Sequence, residues 1–428
     1  MKRWLKEPFA LLLAMLARAI LRKYKPQVIM VTGSVGKTST KDAVAAALSQ
    51  HTHLRASEKS YNSEFGVPLT IIGAKNPWTN AFAWLGVFQE ALALLFTANH
   101  YPKTLVLEVG ADRPGDLARI LRIATPDAVV VTLLPEVPVH VEAYVTPAAV
   151  REEEFAPAYA LPSGAPLIIS AQDTYAIGMA KNTQAHVTLF GFSAGADVHI
   201  EEPTILLEHG LPAGMQTVAS VGGHRYPLLA RGAIGRPQVL APAAALALAH
   251  ALGLPNKETL AGLDSYQPPP GRARILSGMN DTLLIDDSYN SSPTAVEEAL
   301  DTLSRLPTRG RRIAVLGDML ELGRYSASEH GRIGTLASTK ANMLVAVGLR
   351  SRAMQAAAVA AGMPEENALA FDTAIDAART LKEHIRQGDL ILIKGSQSMR
   401  MERIVEALLA DPADMKYLVR QEREWRSR

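Results

Sequence analysis

The fold-deciding stretch is Gln27-Val-Ile-Met-Val-Thr-Gly-Ser-Val-Gly-Lys-Thr38. Its first six residues form a short apolar, β-rich run, and the glycines that follow predict a tight turn into a helix. In such a strand–loop–helix unit, backbone amides at the helix N-terminus can surround a phosphate, Lys37 can reach its outer oxygens and Thr38 can bind a magnesium ion. The spacing is shorter than usual, so the prediction of nucleotide binding depends on this context, and an accidental turn is the alternative.

The same alternation of strand and helix continues beyond this unit. Residues 104–109 and 128–133 have strand character, and residues 114–123 between them have a helical pattern. This alternation predicts a mostly parallel sheet with helices on both faces. Short runs separated by Gly and Pro from 187 to 229 predict an antiparallel sub-region, and residues 241–252 predict an alanine-rich helix.

Tyr266-Gln-Pro-Pro-Pro-Gly271 is the clearest linker, since three prolines fit neither a helix interior nor a central strand. After it the alternation of strands and helices restarts. We therefore expect three segments: a basic, apolar helix over 1–26, a central domain over 27–267 and a C-terminal α/β domain over 271–428.

Composition excludes several classes of protein. The chain of 428 residues has 44 Lys and Arg against 42 Asp and Glu, so no basic excess points to nucleic acid. It has no cysteine, which rules out a disulfide scaffold, a zinc–thiolate site, an iron–sulfur cluster and a cysteine nucleophile. This composition fits a cytoplasmic protein.

The N-terminus allows more than one interpretation. Its apolar run over residues 8–17 is shorter than the roughly 20 residues that a bilayer span needs. One interpretation is a helix packed on the rest of the protein. Another is a helix on the anionic inner face of the membrane, with Trp4, Phe9 and the leucines inserted; its head-group contacts would be Lys2, Arg3, Lys6, Arg22, Lys23 and Lys25. A single-span anchor is less favoured. We read residues 78–96 as a buried helix.

A family resemblance rests on segments that follow one another along the chain. They are Thr32-Gly-Ser-Val-Gly-Lys-Thr-Ser-Thr-Lys41, Asn62-Ser-Glu-Phe-Gly-Val-Pro-Leu-Thr70, Leu107-Glu-Val-Gly-Ala111, Asp286-Asp-Ser-Tyr-Asn-Ser-Ser-Pro293, Gly317-Asp-Met-Leu-Glu-Leu-Gly323 and Ile393-Lys-Gly-Ser-Gln-Ser398. They resemble the Mur ligases, ATP-dependent enzymes that join an amine to a carboxylate in cell-wall precursor synthesis. The resemblance is greatest to the branch that adds D-alanyl-D-alanine, and it covers residues 25–410.

The resemblance implies an α/β fold in which a central parallel-sheet phosphate-loop ATPase domain precedes a smaller dinucleotide-binding-like α/β domain. The family's usual N-terminal domain for a UDP-sugar substrate is not expected, because the phosphate loop already begins at Gly33. The basic helix stands in its place.

The resemblance also implies roles for individual residues, with ATP and Mg²⁺ as cofactors. The nucleotide-binding set is Gly33, Ser34, Gly36, Lys37, Thr38, Ser39, Arg272, Asp287, Tyr289 and Asn290. The metal ligands are Thr38, Glu108, His140 and Glu154, and the catalytic residues are Lys37, His140, Glu154 and Arg272. The residues facing a small-molecule or peptide substrate are Asn62, Asp318, Glu321, Lys394, Ser396 and Ser398.

Two positions depart from the family pattern. Many members carry a carbamylated lysine fourteen residues after the metal-binding histidine, and Glu154 occupies that position after His140. We predict that its carboxylate supplies the anion directly; a solvated helix face over residues 151–154 is the alternative. At Pro237 and Gln238 the family usually has His-Asn after the arginine.

These observations predict an ATP-dependent carboxylate–amine ligase that works through an acyl phosphate on a cell-wall peptide or membrane-linked precursor. A related ligase of another pathway, such as polyglutamylation, is one alternative. A catalytically weak ATP-binding scaffold at the membrane is another. Substrate-dependent release of phosphate from ATP distinguishes enzyme from scaffold.

Overall fold

The computed structural model describes residues 3–58, 61–77, 80–422 and 425. The chain divides into two compact units. The first unit comprises Met1–Glu202, Thr217–Leu229 and Val239–Tyr266, and the second comprises Pro203–Gln216, Ala230–Gln238 and Gln267–Arg428. The second unit thus includes two short segments that precede the triple proline.

The elements of the first unit follow the predicted alternation. Its helices are α1 (Arg3–Tyr24), α2 (Lys37–Leu48), α3 (Gly66–Ile72), α4 (Ala81–Phe96), α5 (Asp116–Leu121), α6 (Pro147–Tyr159), α7 (Thr174–Ala180), α8 (Leu240–Ala251) and α9 (Asn256–Leu263). Its strands are β1 (Gln27–Thr32), β2 (Leu54–Ala56), β3 (Thr104–Glu108), β4 (Ala128–Val131), β5 (Pro166–Ser170), β6 (His186–Gly191) and β7 (Val198–Ile200). Strands β8 (Thr204–Glu208), β9 (Leu211–Val221) and β10 (His224–Arg231) follow β7, and the chain passes between the units along them.

The sheet of the first unit has the order β2-β3-β1-β4-β5-β6-β7-β9-β10. Strand β1 lies between β3 and β4 and is parallel to both, with Val31 opposite Glu108 and Thr32 opposite Val131. The prediction that the antiparallel region starts near residue 187 is wrong, because β6 and β7 continue the parallel pairing and β9 is the first antiparallel strand. The carboxyl ends of β1, β3 and β4 meet at one edge, where open α/β sheets bind their ligands.

The N-terminal helix packs on the first unit. Leu13, Ala17 and Ile20 of α1 are fully buried, and α1 lies against α3 and α4. Phe9, which the membrane interpretation inserts into a bilayer, instead stacks edge-on against Trp84 and Phe88. The head-group contact assigned to Lys2 lies outside the described residues, and so do the side chains of Arg3, Trp4 and Lys6.

Helix α4 is only partly buried, which corrects the prediction of a buried helix over this segment. Val87, Ala91 and Leu94 face the core, whereas Phe82 and Phe96 are more than four-fifths exposed. Gln89 and Glu90 of this helix are also exposed, so α4 buries only the side that packs on its neighbours. None of the helices in the described residues combines the length and apolar character needed to cross a membrane.

The second unit contains a six-stranded sheet with the order β11-β12-β16-β13-β14-β15. Its strands are β11 (Arg274–Gly278), β12 (Thr282–Asp287), β13 (Arg312–Gly317), β14 (Met343–Val347), β15 (Ala368–Phe371) and β16 (Leu390–Lys394). Its helices are α10 (Pro293–Arg305), α11 (Ser326–Lys340), α12 (Arg352–Ala360), α13 (Ala374–His384) and α14 (Glu402–Leu408). All neighbours are parallel except β11 and β12. The crossover helices explain the parallel pairing.

Candidate active site

The phosphate loop joins the buried end of β1 to the start of α2. Gly33 has φ +118° and Gly36 has φ +88°, backbone conformations that side chains other than glycine rarely adopt. A Cβ on Gly33 would also collide with the side chain of Thr132. The Ser34 amide donates to the Leu133 carbonyl (2.8 Å). These contacts hold the loop across the strand ends, where the N-terminus of α2 favours an anion.

Lys37 is the first residue of α2, and its side chain lies back over this loop. Its ammonium group donates to the Gly33 carbonyl and lies 3.6 Å from Oε1 of Glu154. The Lys37 side chain keeps 13% of its surface exposed, whereas the Glu154 side chain keeps 1%. The loop therefore combines a partly exposed cation with a buried carboxylate.

Glu154 reaches the loop from α6. Its Oε2 accepts a hydrogen bond from the Ser34 hydroxyl, and its backbone carbonyl accepts one from Thr32 Oγ1 (2.6 Å). Because Glu154 is fully buried, the alternative of a solvated helix face is wrong for this residue. The structure thus places an anion at the phosphate loop.

The two preceding glutamates have different surroundings. Glu152 is exposed and accepts from the Tyr159 hydroxyl (3.1 Å). Glu153 accepts the backbone amides of Gly115 and Leu117 at the start of α5, at 3.1 and 2.9 Å. The three consecutive glutamates therefore have three different surroundings, because an α-helix turns each successive side chain by about 100°.

Glu108 and Thr38 form the second feature of this edge. Thr38 Oγ1 donates to Oε1 of Glu108 (3.1 Å), and both residues are buried. Sequence reasoning missed Ser57, whose hydroxyl accepts the Glu108 amide (3.1 Å) and whose carbonyl accepts from Lys41 Nζ (2.6 Å). No motif marks a lone serine after a short strand, so only the fold identifies it. The site offers two hard oxygen donors, the ligand type that Mg²⁺ prefers.

His140 and Asn62 lie on loops of the same unit. His140 Nε2 is 3.6 Å from Oδ1 of Asp112, and its backbone has φ +66°, an uncommon conformation for a residue other than glycine. Asn62 accepts the Gly110 amide through its carbonyl (3.2 Å). Within the described ranges, the structure brings no three His, Asp or Glu side chains together as a metal site. Each predicted metal position therefore has at most two protein ligands of these types.

The second unit brings together two predicted groups that are far apart in sequence. Asp287 ends β12 and lies opposite Lys394, which ends β16. The Lys394 ammonium donates to Oδ2 of Asp287 (2.7 Å) and to the Asn290 carbonyl (3.0 Å). Lys394 is buried, as few lysines are unless they are paired. Its ion pair fixes the loop that carries Asp287 and Asn290.

Arg272 and Tyr289 lie beside this pair. The Arg272 guanidinium lies 4.2 Å from the centre of the Tyr289 ring, a cation–π arrangement. The backbone of the same loop is held by Arg420, which donates to the carbonyls of Ser288 and Tyr289 and pairs with the buried Glu402 (2.8 Å). Sequence reasoning missed Arg420 and Glu402, since neither lies in a recognisable motif.

Asp286, the residue before Asp287 in β12, is completely buried. Burial raises the pKa of its carboxyl from 3.8 to about 6; hydrogen bonds from Ser288 lower it, and the charges of Asp287 and Glu402 raise it further. The folded state therefore binds the proton more tightly than the unfolded state. The resulting stability is fully present below pH 3.8 and is lost as the pH rises through about 6.

We expect Asp286→Asn to remove this pH dependence, because the amide does not titrate. The free energy of unfolding of the native protein, minus that of the variant, should fall by about 3 kcal/mol between pH 3.5 and pH 7. Paired denaturant titrations over this pH range measure it. A constant difference would show that Asp286 titrates normally.

The predicted substrate residues of the second unit are held at the next strand end. Oδ1 of Asp318 accepts from the amide and hydroxyl of Ser351, both at 2.7 Å, and its carbonyl accepts the Ser396 amide (3.1 Å). Glu321 and Ser398 are exposed, and Glu321 has φ +65°. Asp318 and Ser396 are thus brought together, while Glu321 and Ser398 remain at the surface.

His330, which sequence analysis did not assign to the site, positions the neighbouring loop. Its Nε2 accepts the Met319 amide (3.0 Å), and its Nδ1 lies 2.7 Å from the Ser326 carbonyl, which assigns the proton to Nδ1. Burial lowers the pKa of His330, so the imidazole stays neutral. Pro237 and Gln238, the second departure from the family pattern, form part of a 3₁₀ turn over Arg236–Val239.

Two family models match these same regions. The Mur ligase middle domain matches residues 31–84, which contain the phosphate loop, and the glutamate ligase domain of the Mur ligases matches residues 271–397. The chain belongs to the Mur ligase family. Members of this family are ATP-dependent amide-forming ligases, and this chain is an enzyme of that class.

Curated relatives extend the match over most of the chain. The UDP-N-acetylmuramoyl-tripeptide–D-alanyl-D-alanine ligases of Synechocystis and Escherichia coli are each 28% identical, over 91% and 92% of this chain. The chain spans 76% and 79% of the lengths of these Mur ligases.

Solved structures confirm the fold. The MurF ligase of Thermotoga maritima in complex with ADP has a TM-score of 0.75 and 24% identity, covering 93% of this chain and 83% of that one. The folylpolyglutamate synthase of Mycobacterium tuberculosis complexed with ADP has a TM-score of 0.64 and 15% identity, covering 92% and 94%. The predicted α/β Mur ligase fold is therefore confirmed.

Proposed function

We propose that this Mur ligase uses ATP to join the amine of a D-alanyl-D-alanine-like dipeptide to the carboxylate of a cell-wall peptide precursor. The single observation that carries this proposal is the group at the carboxyl edge of the first sheet, where Lys37, Thr38, Glu108 and Glu154 surround the phosphate loop. The substrate class comes from the names of the curated relatives.

The proposed reaction has two steps. The substrate carboxylate attacks the γ-phosphorus of ATP, and the bond to the β-phosphate oxygen breaks to give an acyl phosphate and ADP. The amine then attacks the acyl carbon, and the tetrahedral intermediate loses inorganic phosphate and a proton to form the amide. Lys37 and the loop amides stabilise the charge that develops on the transferred phosphoryl group.

The residues present fit a magnesium ion. Thr38 and Glu108 place two oxygen donors within 3.1 Å of each other at the phosphate loop. Protein Mg²⁺ sites commonly use one or two carboxylates and complete the shell with substrate phosphates and water, so a larger acidic cluster is not required. When bound, the ion neutralises phosphate charge. We further propose Glu154 and His140 as the anion and imidazole of a second metal position.

The remaining roles divide between two groups of residues. We propose that Arg272, Asp287, Tyr289 and Asn290 contact the nucleotide, because the buried Lys394–Asp287 ion pair holds three of them on one ordered loop. We propose that Asn62, Asp318, Glu321, Lys394, Ser396 and Ser398 face the substrates. The reaction would take place in the cytoplasm, where ATP is available.

A direct assay tests this function. ADP release should require both UDP-N-acetylmuramoyl-tripeptide and D-alanyl-D-alanine, and mass spectrometry should detect the amide product. Hydroxylamine added without the amine should trap the acyl phosphate as a hydroxamate. Glutamate with a folate acceptor serves as the comparison for the polyglutamylation alternative. ATP binding without turnover on any carboxylate would instead support the scaffold alternative.

The outer face of α1 motivates a further proposal, an association of the protein with anionic membranes. Leu11 and Met15 of this helix are 63% and 55% exposed, and Leu12 is 39% exposed, although the opposite face is buried. Arg22 lies near the end of the same helix, whereas Lys23, which was predicted as a head-group contact, donates instead to the carbonyls of Leu94, Leu95 and Thr97. Since Leu13, Ala17 and Ile20 belong to the core, deleting the helix would expose that core, and point substitutions are the better test.

We expect the full chain to bind phosphatidylglycerol vesicles at low salt. Replacing Leu11, Leu12 and Met15 together by serine should weaken this binding about 10-fold or more, because their apolar surface would no longer be buried in lipid. Leu207→Ser combined with Leu211→Ser is the matched control, since both leucines are exposed elsewhere. Vesicle sedimentation measures the effect. Equal binding of all three proteins would leave α1 as a packing element only.

A further inference from the structure

A cavity of about 450 Å³ lies beside α1 in the first unit. Four arginines and two glutamates contribute to its wall: Arg18, Arg113, Arg119, Arg122, Glu7 and Glu64. None of them is among the residues predicted to bind nucleotide, metal or substrate. The volume lies within the range of roughly 300–1,000 Å³ typical of ligand sites.

The charges in this cavity are not balanced by the protein. Arg119 pairs with Asp116 (2.9 Å) and with Glu64 (3.5 Å). Across the ranges that the structure describes, Arg18, Arg113 and Arg122 form no ion pair with any carboxylate, and Glu7 is the only other acid in the wall. These three arginines leave an excess of positive charge around one space, and an anion bound among them would gain charge-assisted hydrogen bonds.

Two segments that contribute to the cavity wall also approach the phosphate loop: the loop that follows β3 and the segment that contains Asn62 and Glu64. Arg113 lies five residues after Glu108, on the loop that leaves β3. Gly110 of that loop donates its amide to Asn62, and a Cβ on Gly110 would lie 3.3 Å from Cε of Lys37. Glu64, in the cavity wall, follows Asn62 by two residues. A ligand held in the cavity would therefore be anchored by the same loops that approach Lys37.

We propose that this cavity is a binding site for a phosphate or diphosphate group, and that it anchors the carboxylate substrate of the ligase. The anchoring of the carboxylate substrate rests on the proposed function. Arginine favours this ligand class because its planar guanidinium donates paired hydrogen bonds that match phosphate oxygens. The volume exceeds that of a single phosphate, so the site takes a diphosphate with part of the group attached to it.

Such a group has two sources, a soluble nucleotide-linked precursor or a lipid. Leu11, in the cavity wall, is 63% exposed, so the rim carries an apolar side chain next to the arginines. Both sources share the phosphate chemistry that the arginines recognise, and the experiment distinguishes them.

Binding of inorganic pyrophosphate tests the site. The full chain is first saturated with Mg²⁺ and a non-hydrolysable ATP analogue, so that the phosphate loop is occupied, and calorimetry then follows pyrophosphate binding. We expect one site per chain. Arg113→Gln and Arg122→Gln should each weaken binding about 10-fold or more, since each removes charge-assisted hydrogen bonds. Arg225→Gln, an exposed arginine outside the cavity wall, should bind as the native protein does.

Lys37→Ala provides a second comparison, because it disables the phosphate loop and leaves the cavity unchanged. Pyrophosphate binding that persists in this variant and weakens in the two arginine variants supports the site. Absence of binding to the native protein, or binding that is lost in Lys37→Ala but unchanged in the arginine variants, overturns it. Neither outcome depends on ligase turnover, so the amide-formation assay judges the proposed function separately.

Two further measurements identify the source. Competition of UDP with pyrophosphate supports a soluble diphosphate if the phosphatidylcholine vesicles with phosphatidic acid do not retain the protein. Retention on phosphatidylcholine vesicles that requires phosphatidic acid, and that is lost in Arg113→Gln and Leu11→Ser, supports a phosphate-bearing lipid. Failure of both ligands, together with unchanged pyrophosphate binding in the arginine variants, contradicts the proposal.

Discussion

Replacing Lys37 by alanine should abolish ATP turnover while the protein remains folded. The lysine lies at the start of α2, and its ammonium group lies over the phosphate loop, where it can stabilise charge on the transferred phosphoryl group. Loss of one preorganised charge-stabilising group typically lowers kcat by about 10²–10³-fold. We expect Lys37→Ala to lower kcat by about 10³-fold or more.

The buried Glu154 requires a control for this experiment. Removing Lys37 leaves the Glu154 carboxylate without its cation, so some loss of stability is expected. A second variant, Lys37→Gln, keeps most of the side-chain volume. Thermal unfolding of both variants, measured beside ADP release, separates folding from chemistry. Turnover near the native rate in folded Lys37→Ala would remove the phosphate-loop assignment.

The second large effect is expected at Glu154. Glu154→Gln keeps the size of the side chain and its hydrogen bond from Ser34, but loses the charge at the phosphate loop. If this carboxylate provides the anion that other family members obtain from a carbamylated lysine, the variant should need more Mg²⁺ and form the acyl phosphate more slowly. Loss of such an anion typically costs about 10–100-fold in metal affinity or activity.

The neighbouring glutamates are matched controls with different expected results. Glu152→Gln changes an exposed residue and should behave as the native enzyme. Glu153→Gln removes a carboxylate that accepts two amides of α5, so it should lower thermal stability without changing the Mg²⁺ requirement. Activity against Mg²⁺ concentration, with and without bicarbonate, makes the comparison. The same Mg²⁺ requirement in all three variants and the native enzyme would refute the second-metal role of Glu154.

Much of the first unit could be predicted because its signals are local. The run Gln27–Thr32 is a strand as predicted, and the glycines at 33 and 36 have the positive φ angles that a tight turn implies. Glu108, which the resemblance names as a metal ligand, ends β3 at this edge of the sheet. Counting residues from His140 singled out Glu154 as the position of the family's carbamylated lysine, and its burial excludes a solvated helix face for this residue.

Other features depend on contacts between distant residues, which no local pattern records. Asp287 and Lys394 are 107 positions apart in the sequence, and Ser57 and Glu108 are 51 positions apart. The degree of exposure of α4 was mispredicted because its sequence is apolar apart from Gln89 and Glu90, and only its packing partners decide which side is buried. The arginine cavity was not predicted for the same reason.

The sequence by itself was sufficient for the family resemblance, the strand–loop–helix unit of the phosphate loop and the general alternation of strands and helices, because turn chemistry, hydrophobic periodicity and motif spacing act over a few residues. Only the tertiary structure decided which of three adjacent glutamates reaches Lys37, that Lys394 is buried against Asp287, and that Arg18 of α1 lines the same cavity as Arg113 and Arg122. These outcomes depend on where a helix rotates its side chains and on which loops a sheet brings to one edge. Both follow from packing of the whole unit.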